Sequence, residues 1–356
     1  MSTTDAAVTA EIVAALSRPE AYAYHPEPIK HLQTHLSHVF VAAPYAYKLK
    51  KPVRFSFADF STATLRRQAC EDEVRLNRRL FAPVYLGLLS VVRTPSGRIA
   101  LEPVDAHAQP DPIPGAPPAR TRVLDTLVCM RALPEESLLS DALRDGRVHV
   151  EQLVAFAHDL AAFHATAETG PEIVAAAGPA ALLRRWNAIL CDARPMVGDL
   201  VRGEDLEVLA DFGARFVRRH AALFEARCAA GRVRELHGDL HAGNLCLIEQ
   251  PLPAIECAPA VPAGIHAFDC IEFSRELRAN DVASEVAFLA MDLEARGHPE
   301  LARAFVDAYV AATGDEEVRF LLPFFASHRA AIRGMVLGLE AREGEVPSEE
   351  RAAAAE

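Results

Sequence analysis

The chain has 356 residues, 51% hydrophobic and 24% charged, which suits a globular protein of one large domain or two modest ones. Its 49 acidic residues against 37 Lys plus Arg give a formal net charge of −12, a field that repels phosphate backbones and excludes nucleic acid as the expected partner. No stretch reaches the roughly 18 apolar residues that a bilayer span requires, and Met1–Ala10 lacks the basic-then-apolar order of a secretion signal, so a soluble cytoplasmic chain with no membrane partner is expected.

Apolar spacing over Thr9–Leu16 predicts a short leading helix, ended by Pro19 and Pro26. From Ser37 the period becomes two: His38–Val41, a turn at Ala42-Ala43-Pro44, then Tyr45–Lys50, which reads as a hairpin. Phe60-Ser61 could cap a helix over Leu65–Leu80, and Tyr85–Val92 and Ile99–Val104 read as strands. Asp105–Arg120 carries five prolines and is expected to be irregular. Thr126–Arg131 reads as a last strand. Beyond Pro134 the periodicity is helical almost throughout: 150–166, 180–190, 206–227, 282–293, 299–312 and 317–339. An α+β chain follows, β-rich first and helical afterwards, with lobes over 1–127 and 128–344 and a polar, Ala-rich tail over 345–356. The seven scattered cysteines form no C-x-x-C pair, so reduced thiols are expected in place of a zinc or redox site.

The segment His237-Gly238-Asp239-Leu240-His241-Ala242-Gly243-Asn244 carries an aspartate followed five residues later by an asparagine. This is the spacing of the loop in phosphoryl-transfer enzymes where Asp accepts the acceptor hydroxyl's proton and Asn binds a metal. Farther on, His266-Ala267-Phe268-Asp269-Cys270-Ile271-Glu272-Phe273 sets a carboxylate at the end of an apolar run. Asn244 and Asp269 thus offer one amide and one carboxylate oxygen, hard ligands that suit Mg2+ completed by water and phosphate oxygens.

HGDLHAGN, FDCIEF and the following Asp281-Val282-Ala283-Ser284-Glu285 together resemble the aminoglycoside phosphotransferase and choline kinase-like superfamily. The stretches YAYKLKKPV, CEDEVRLNRRL and MDLEARG resemble more narrowly a bacterial branch of aminoglycoside phosphotransferase-like proteins, and the likeness runs from about His35 to near Arg333. The resemblance implies a bilobal protein-kinase-like fold, with ATP and Mg2+ as cofactors and a small-molecule hydroxyl as acceptor. It makes Lys48, two residues after Ala46, the phosphate-binding lysine, with Lys50 on the same strand face as the alternative. Glu73 is its expected partner, since Leu76 and Leu80 set an apolar face on the same side of the helix. Leu127–Arg131 resembles the adenine-binding hinge strand, with Val128 and Met130 beside the base. His164 is expected to be structural. Asp281 and His237 are expected behind the catalytic loop, supporting it without touching substrate.

The chain departs from the pattern in two places. No G-x-G-x-x-G loop precedes Lys48, so GTP stays open beside ATP, and 249–264, rich in Pro and Ala, reads as an exposed insertion. No G-x-x-x-x-G-K-[ST] is present, so the chain is expected to be the kinase-like part alone. The expected function is transfer of the γ-phosphoryl group of ATP to a hydroxyl of an aminoglycoside-like compound, a sugar or an amino alcohol. Two alternatives remain at this point: a metal-dependent hydrolase using His237, Asp239 and His241, and a nucleotide-binding pseudokinase. Arg329 and Arg333 could face the acceptor or solvent.

Overall fold

The computed structural model describes residues 3–55, 57–104, 121–196, 198 and 201–342, so the expected loop at 105–120 and the tail at 345–356 lie outside the described residues. In chain order the early elements are α1 (Thr3–Leu16), β1 (Lys30–Gln33), β2 (Ser37–Ala42), β3 (Tyr45–Lys50), α2 (Ala63–Phe81), β4 (Tyr85–Arg93), β5 (Ile99–Pro103) and β6 (Arg122–Arg131). Then come α3 (Leu139–Arg144), α4 (Val150–Thr166), α5 (Pro171–Ala177), α6 (Pro179–Ala193), α7 (Gly203–Arg219), α8 (Ala221–Ala229) and β7 (Val233–Glu235). The last are β8 (Leu245–Ile248), β9 (Gly264–Ala267), α9 (Arg275–Arg278), β10 (Ala279–Asp281), α10 (Val282–Ala295), α11 (Pro299–Thr313) and α12 (Glu317–Arg342). This is the expected α+β chain, an antiparallel sheet followed by a mainly helical part.

Two compact units divide it: 1–138 with 246–274, and 139–245 with 275–356. A single break after residue 127 does not match this division. Strand β6 runs through that position, paired with β3 on one side and β4 on the other, and 246–274 returns to the first unit.

The first unit is built on a six-stranded sheet of order β1-β2-β3-β6-β4-β5. Strand residues alternate between its faces, which decides where each side chain of β3 goes. Tyr47 and Leu49 join Ile12, Leu16, Tyr22, Phe40 and Leu127 in a core under α1. Lys48 and Lys50 therefore point to the other face, where α2 lies. There Cys70, Val74 and Phe81 of α2 pack with Val84, just before β4, with Tyr85 and Val128 of the sheet and with Cys246, Ile248 and Val261. The helix is tied down by Arg66, whose Nε donates to Asp125 Oδ2 at 2.8 Å, and its N-cap is Thr62, not Phe60-Ser61: the Thr62 hydroxyl accepts the Leu65 N–H at 3.3 Å. Strand β1 has no alternating pattern because all four of its residues are exposed at the sheet edge.

Residues 249–263 connect β8 to β9 and are mostly exposed, as expected of an insertion, although a few contacts tie them to the sheet. Leu252 pairs with Val261 and Ile255 with Ala258, Val261 is buried, and the Arg131 guanidinium donates to the Pro253 and Pro259 carbonyls at 2.8 Å each.

In the second unit α10 is buried on nearly every side, from Val282 to Leu293, a mostly apolar text in which Ser284, Glu285 and Asp292 are also buried. The helix expected over 206–227 is two, α7 and α8, broken at His220. Gly213 of α7 is required by packing: a Cβ there would lie 1.9 Å from Trp186 Cε2. Short α3, α5 and α9 and the paired β7 and β10 are too brief to leave a periodic signature.

Candidate active site

Each unit holds one set of the residues singled out in the sequence. In the first, Glu73 of α2 receives both candidate lysines: Lys48 Nζ lies 2.9 Å from Oε1 and Lys50 Nζ 2.5 Å from Oε2. Lys48 also reaches Asp269 at 2.5 Å, across 221 residues of sequence, while Lys50 is paired with Glu272 and sits 5.4 Å from the Phe60 ring centre. The two-residue alternation that could not separate the lysines reflects a real sharing of one carboxylate. What differs is the environment. Lys50 is 1% exposed and enclosed by Glu73, Glu272 and Phe60, whereas Lys48 lies against Asp269, whose side chain is 42% exposed.

Burial by itself would favour neutral lysines here, but Asp269 and Glu73 beside Lys48, and Glu272 and Glu73 beside Lys50, raise both ammonium groups above their ordinary range. Glu73 experiences the converse: burial opposes its charge, and the two ammonium groups overcome that and hold it near 2. Glu272, by contrast, is raised, because burial outweighs the pull of Lys50.

The segment bearing Asp269 is fixed by α2 and β4. Asp269 is in the left-handed region at φ 60, a conformation that Asp tolerates better than most residues, and its N–H donates to Tyr85 Oη at 3.1 Å. The next N–H, of Cys270, donates to Asn77 Oδ1 at 2.9 Å, and Asn77 Nδ2 donates in turn to the Glu73 carbonyl at 2.9 Å. Asn77, fully buried, thus couples the backbone at Glu73 to the backbone beside Asp269. Only its partners reveal this role, since a single Asn in a helix carries no signal in sequence. Val128 is the Cα partner of Lys48 but has no exposed surface to offer a base; Met130, opposite Ala46, is half-buried.

The second unit holds the loop 237–244. Gly238 adopts φ 90, a left-handed conformation that a Cβ would strain. Asp239 keeps 34% of its side chain exposed, and Asn244 Nδ2 donates to its Oδ2 at 2.8 Å and to its carbonyl at 3.0 Å. Among the described residues the Asn244 amide oxygen accepts no hydrogen bond. Burial opposes the Asp239 charge, but the hydrogen bond from His241 and the nearby His241, His237 and Arg333 charges push it well below the ordinary carboxylate range. His237 opens the loop, its Nδ1 accepting the Asp239 N–H at 3.3 Å.

Asp281 does not support the loop. Both its oxygens take the buried Arg227 guanidinium at 2.7 Å, and Oδ1 caps α10 at the Ala283 N–H. Two later acids of α10 hold the loop instead. Glu285 Oε1 accepts the Gly238 N–H at 2.8 Å, and Asp292 Oδ2 accepts the Ala242 N–H at 2.8 Å. They are seven residues apart, two helical turns, and so share a face. His164 Nε2 lies 2.8 Å from Glu285 Oε2 with its Nδ1 2.7 Å from Tyr309 Oη, the structural part expected of it.

The Asp269 carboxylate in the first unit and the Asn244 amide in the second each carry a hard oxygen, of the kind that suits magnesium better than a soft metal. Among the described residues no group of three or more His, Cys, Asp and Glu side chains could hold a metal ion. His237, Asp239 and His241 form no such group among the described residues; His237 Nδ1 accepts the Asp239 N–H and His241 Nδ1 the Gly243 N–H. Among the described residues no helix is long and apolar enough to cross a membrane.

No family model matches the chain. It is 32% identical over 304 residues to uncharacterized proteins of Mycobacterium tuberculosis (strains H37Rv and CDC 1551) and Mycobacterium bovis, over 85% of this chain and 53% of each relative. The chain therefore spans about half the length of the curated relatives it matches. Among solved structures it is similar to the GDP complex of wild-type aminoglycoside 2'-phosphotransferase-IIIa, at 12% identity and TM-score 0.48, covering 92% of this chain and 90% of that one. It is also similar to a choline/ethanolamine kinase family protein from Mesorhizobium loti, at 11% identity and TM-score 0.46, covering 98% and 92%.

Proposed function

We propose that the chain is a small-molecule kinase that moves the γ-phosphoryl group of ATP to a hydroxyl, with magnesium. The observation that carries this reading is the position of Lys48, 2.9 Å from Glu73 and 2.5 Å from Asp269, three residues far apart in the chain that phosphoryl transfer needs together. Lys48, kept charged by its neighbours, binds the phosphates, and Glu73 fixes its direction. Asp269 and Asn244 would hold the magnesium ion, which when bound offsets the phosphate charge. Asp239 accepts a hydrogen bond from the acceptor hydroxyl and aims its oxygen at the γ-phosphorus. The new O–P bond forms as the bond to the ADP oxygen breaks, and the hydroxyl proton passes toward Asp239. So depressed a carboxylate is a weak base, which suits a loose transition state in which the proton leaves late.

Acceptor-dependent ADP formation, measured over a panel of hydroxyl compounds with ATP or GTP and magnesium, tests the proposal. Asp239→Ala should abolish it while nucleotide binding persists. Turnover retained in that variant removes Asp239 from the chemistry, and nucleotide binding with no turnover for any acceptor favours the pseudokinase reading.

A further inference from the structure

Arg329 of α12 lies behind the Asp239 loop. Its Nη1 donates to the Gly238 carbonyl at 2.9 Å, its Nε to Ser284 Oγ at 3.1 Å, and its guanidinium carbon lies 4.9 Å from the Phe288 ring centre. The side chain is 5% exposed, yet its Nη2 is buried with no hydrogen-bond partner. One turn farther on, Arg333 is half-buried and close enough for its charge to act on Asp239, and among the described residues it makes no hydrogen bond or ion pair. The acids nearby are already used: Glu285 by Gly238 and His164, Asp239 by Asn244. Among the described residues neither arginine is paired with a carboxylate. His328, beside them, has both ring nitrogens buried without a partner and stacks on Trp186 at 5.2 Å.

A buried guanidinium donor left unpaired costs on the order of 1–3 kcal/mol or more, so a position that keeps one is built to be paired by something else. Residues four apart on a helix share a face, and two guanidinium groups so placed match the oxygens of a carboxylate or phosphate. We propose that Arg329 Nη2 and Arg333 form an anion-binding subsite beside Asp239, and that the acceptor carries an anionic group, a carboxylate or a phosphate, in addition to its hydroxyl. This rests on the phosphotransferase reading for the word acceptor, but the subsite stands apart from it. The net charge of −12 does not oppose it, since charges beyond about 8–10 Å are largely screened at physiological salt.

The test is titration calorimetry of the full chain without nucleotide, using glycerate and glycerol 3-phosphate as carboxylate and phosphate probes and glycerol as the neutral control. One or both anions should bind, and glycerol should not. Arg333→Gln should weaken that binding about tenfold or more, Arg329→Lys should weaken it while keeping the charge, and Lys48→Gln, which removes the other phosphate-binding cation, should leave it. Thermal melting of each variant identifies folded protein. Glycerol binding as tightly as the anions, no binding by either anion, or anion binding unmoved by both arginine variants overturns the subsite. Anion binding that follows the arginines, in a chain that forms no ADP with any acceptor, keeps the subsite and defeats the kinase reading instead.

Discussion

Lys48 and Lys50 share one carboxylate, yet their surroundings assign them different work. Removing a partner from a buried ion pair costs about 3–5 kcal/mol, because the charge left behind has lost its water as well as its counterion. Lys50→Met leaves Glu272 enclosed without its ammonium group and should destabilise the protein by an amount in that range, read from urea unfolding. Lys48→Met leaves Glu73 its Lys50 contact and Asp269 its access to solvent, so the stability loss should be smaller while turnover falls about a hundredfold or more. A large loss of turnover in the Lys50 variant, with Lys48→Met near wild type, would transfer the phosphate role to Lys50. The sequence sets Asp239 and Asn244 in a loop of telling spacing and Asp269 at the end of an apolar run, while Lys48 and Glu73 were expected only through the resemblance; of these the structure brings Lys48, Glu73 and Asp269 together. Glu272, Asn77, Glu285 and Asp292 were not read as functional. The first two act through neighbours remote in the chain, and the acids lie in an apolar helix where burial hides their purpose.

At the scale of elements, α10 matters more than its text suggests. It approaches the Asp239 loop with two acids on one face, Glu285 holding Gly238 and Asp292 holding Ala242, so both ends of the loop are referenced to a single buried rod. Asp292 also accepts from Arg296 at 3.1 Å, which keeps its carboxylate directed. Asp292→Asn and Glu285→Gln should each lower kcat by about ten- to a hundredfold with the KM for nucleotide little changed, as a small displacement of a reacting group does. Faster amide exchange at Gly238 or Ala242 should accompany the loss. Faster exchange without a change in kcat would detach the loop's rigidity from catalysis. Most long elements were legible, and α4 matches its expected limits, because an amphipathic helix writes its period into the sequence. One misreading has a local cause: the break at His220 interrupts a continuous periodic run. The contacts that tie down the exposed 249–263 were not legible, because they depend on Arg131, more than a hundred residues away.

For the molecule as a whole, its carboxylates and histidines set the response to acid. Glu73 is held near 2 against an ordinary 4.5, and Asp239 and Glu285 are also lowered. For these groups the unfolded chain binds protons more readily, so their contribution is present above pH 4.5 and is lost as the pH falls from about 4.5 toward 2. Glu272 is raised and acts in the opposite sense, contributing as the pH falls through its higher range toward 4.5. Desolvation also lowers His31, His38 and His328 below their ordinary 6.5, His38 to about 4 and His328 to about 3, so the unfolded chain takes up protons at these groups first. Stability should begin to decline as the pH falls below about 6.5 and decline more steeply below about 4.5, with net proton uptake on unfolding. Unfolding monitored from pH 7 to pH 2 checks this; stability unchanged down to pH 4.5 would remove the histidines from the balance. The division of the chain has a further consequence for its synthesis. The first unit lacks Cys246, Ile248, Val261 and Asp269 until residues 246–274 have been made, and the second lacks α10 and α12 until still later. Translation runs from the N-terminus, so the ribosome releases well over two hundred residues before either unit can close. The sheet face that carries Lys48 must wait through that interval with only α2 over it, lacking Cys246, Ile248 and Val261, and nascent chains should need chaperone protection until residue 274 emerges.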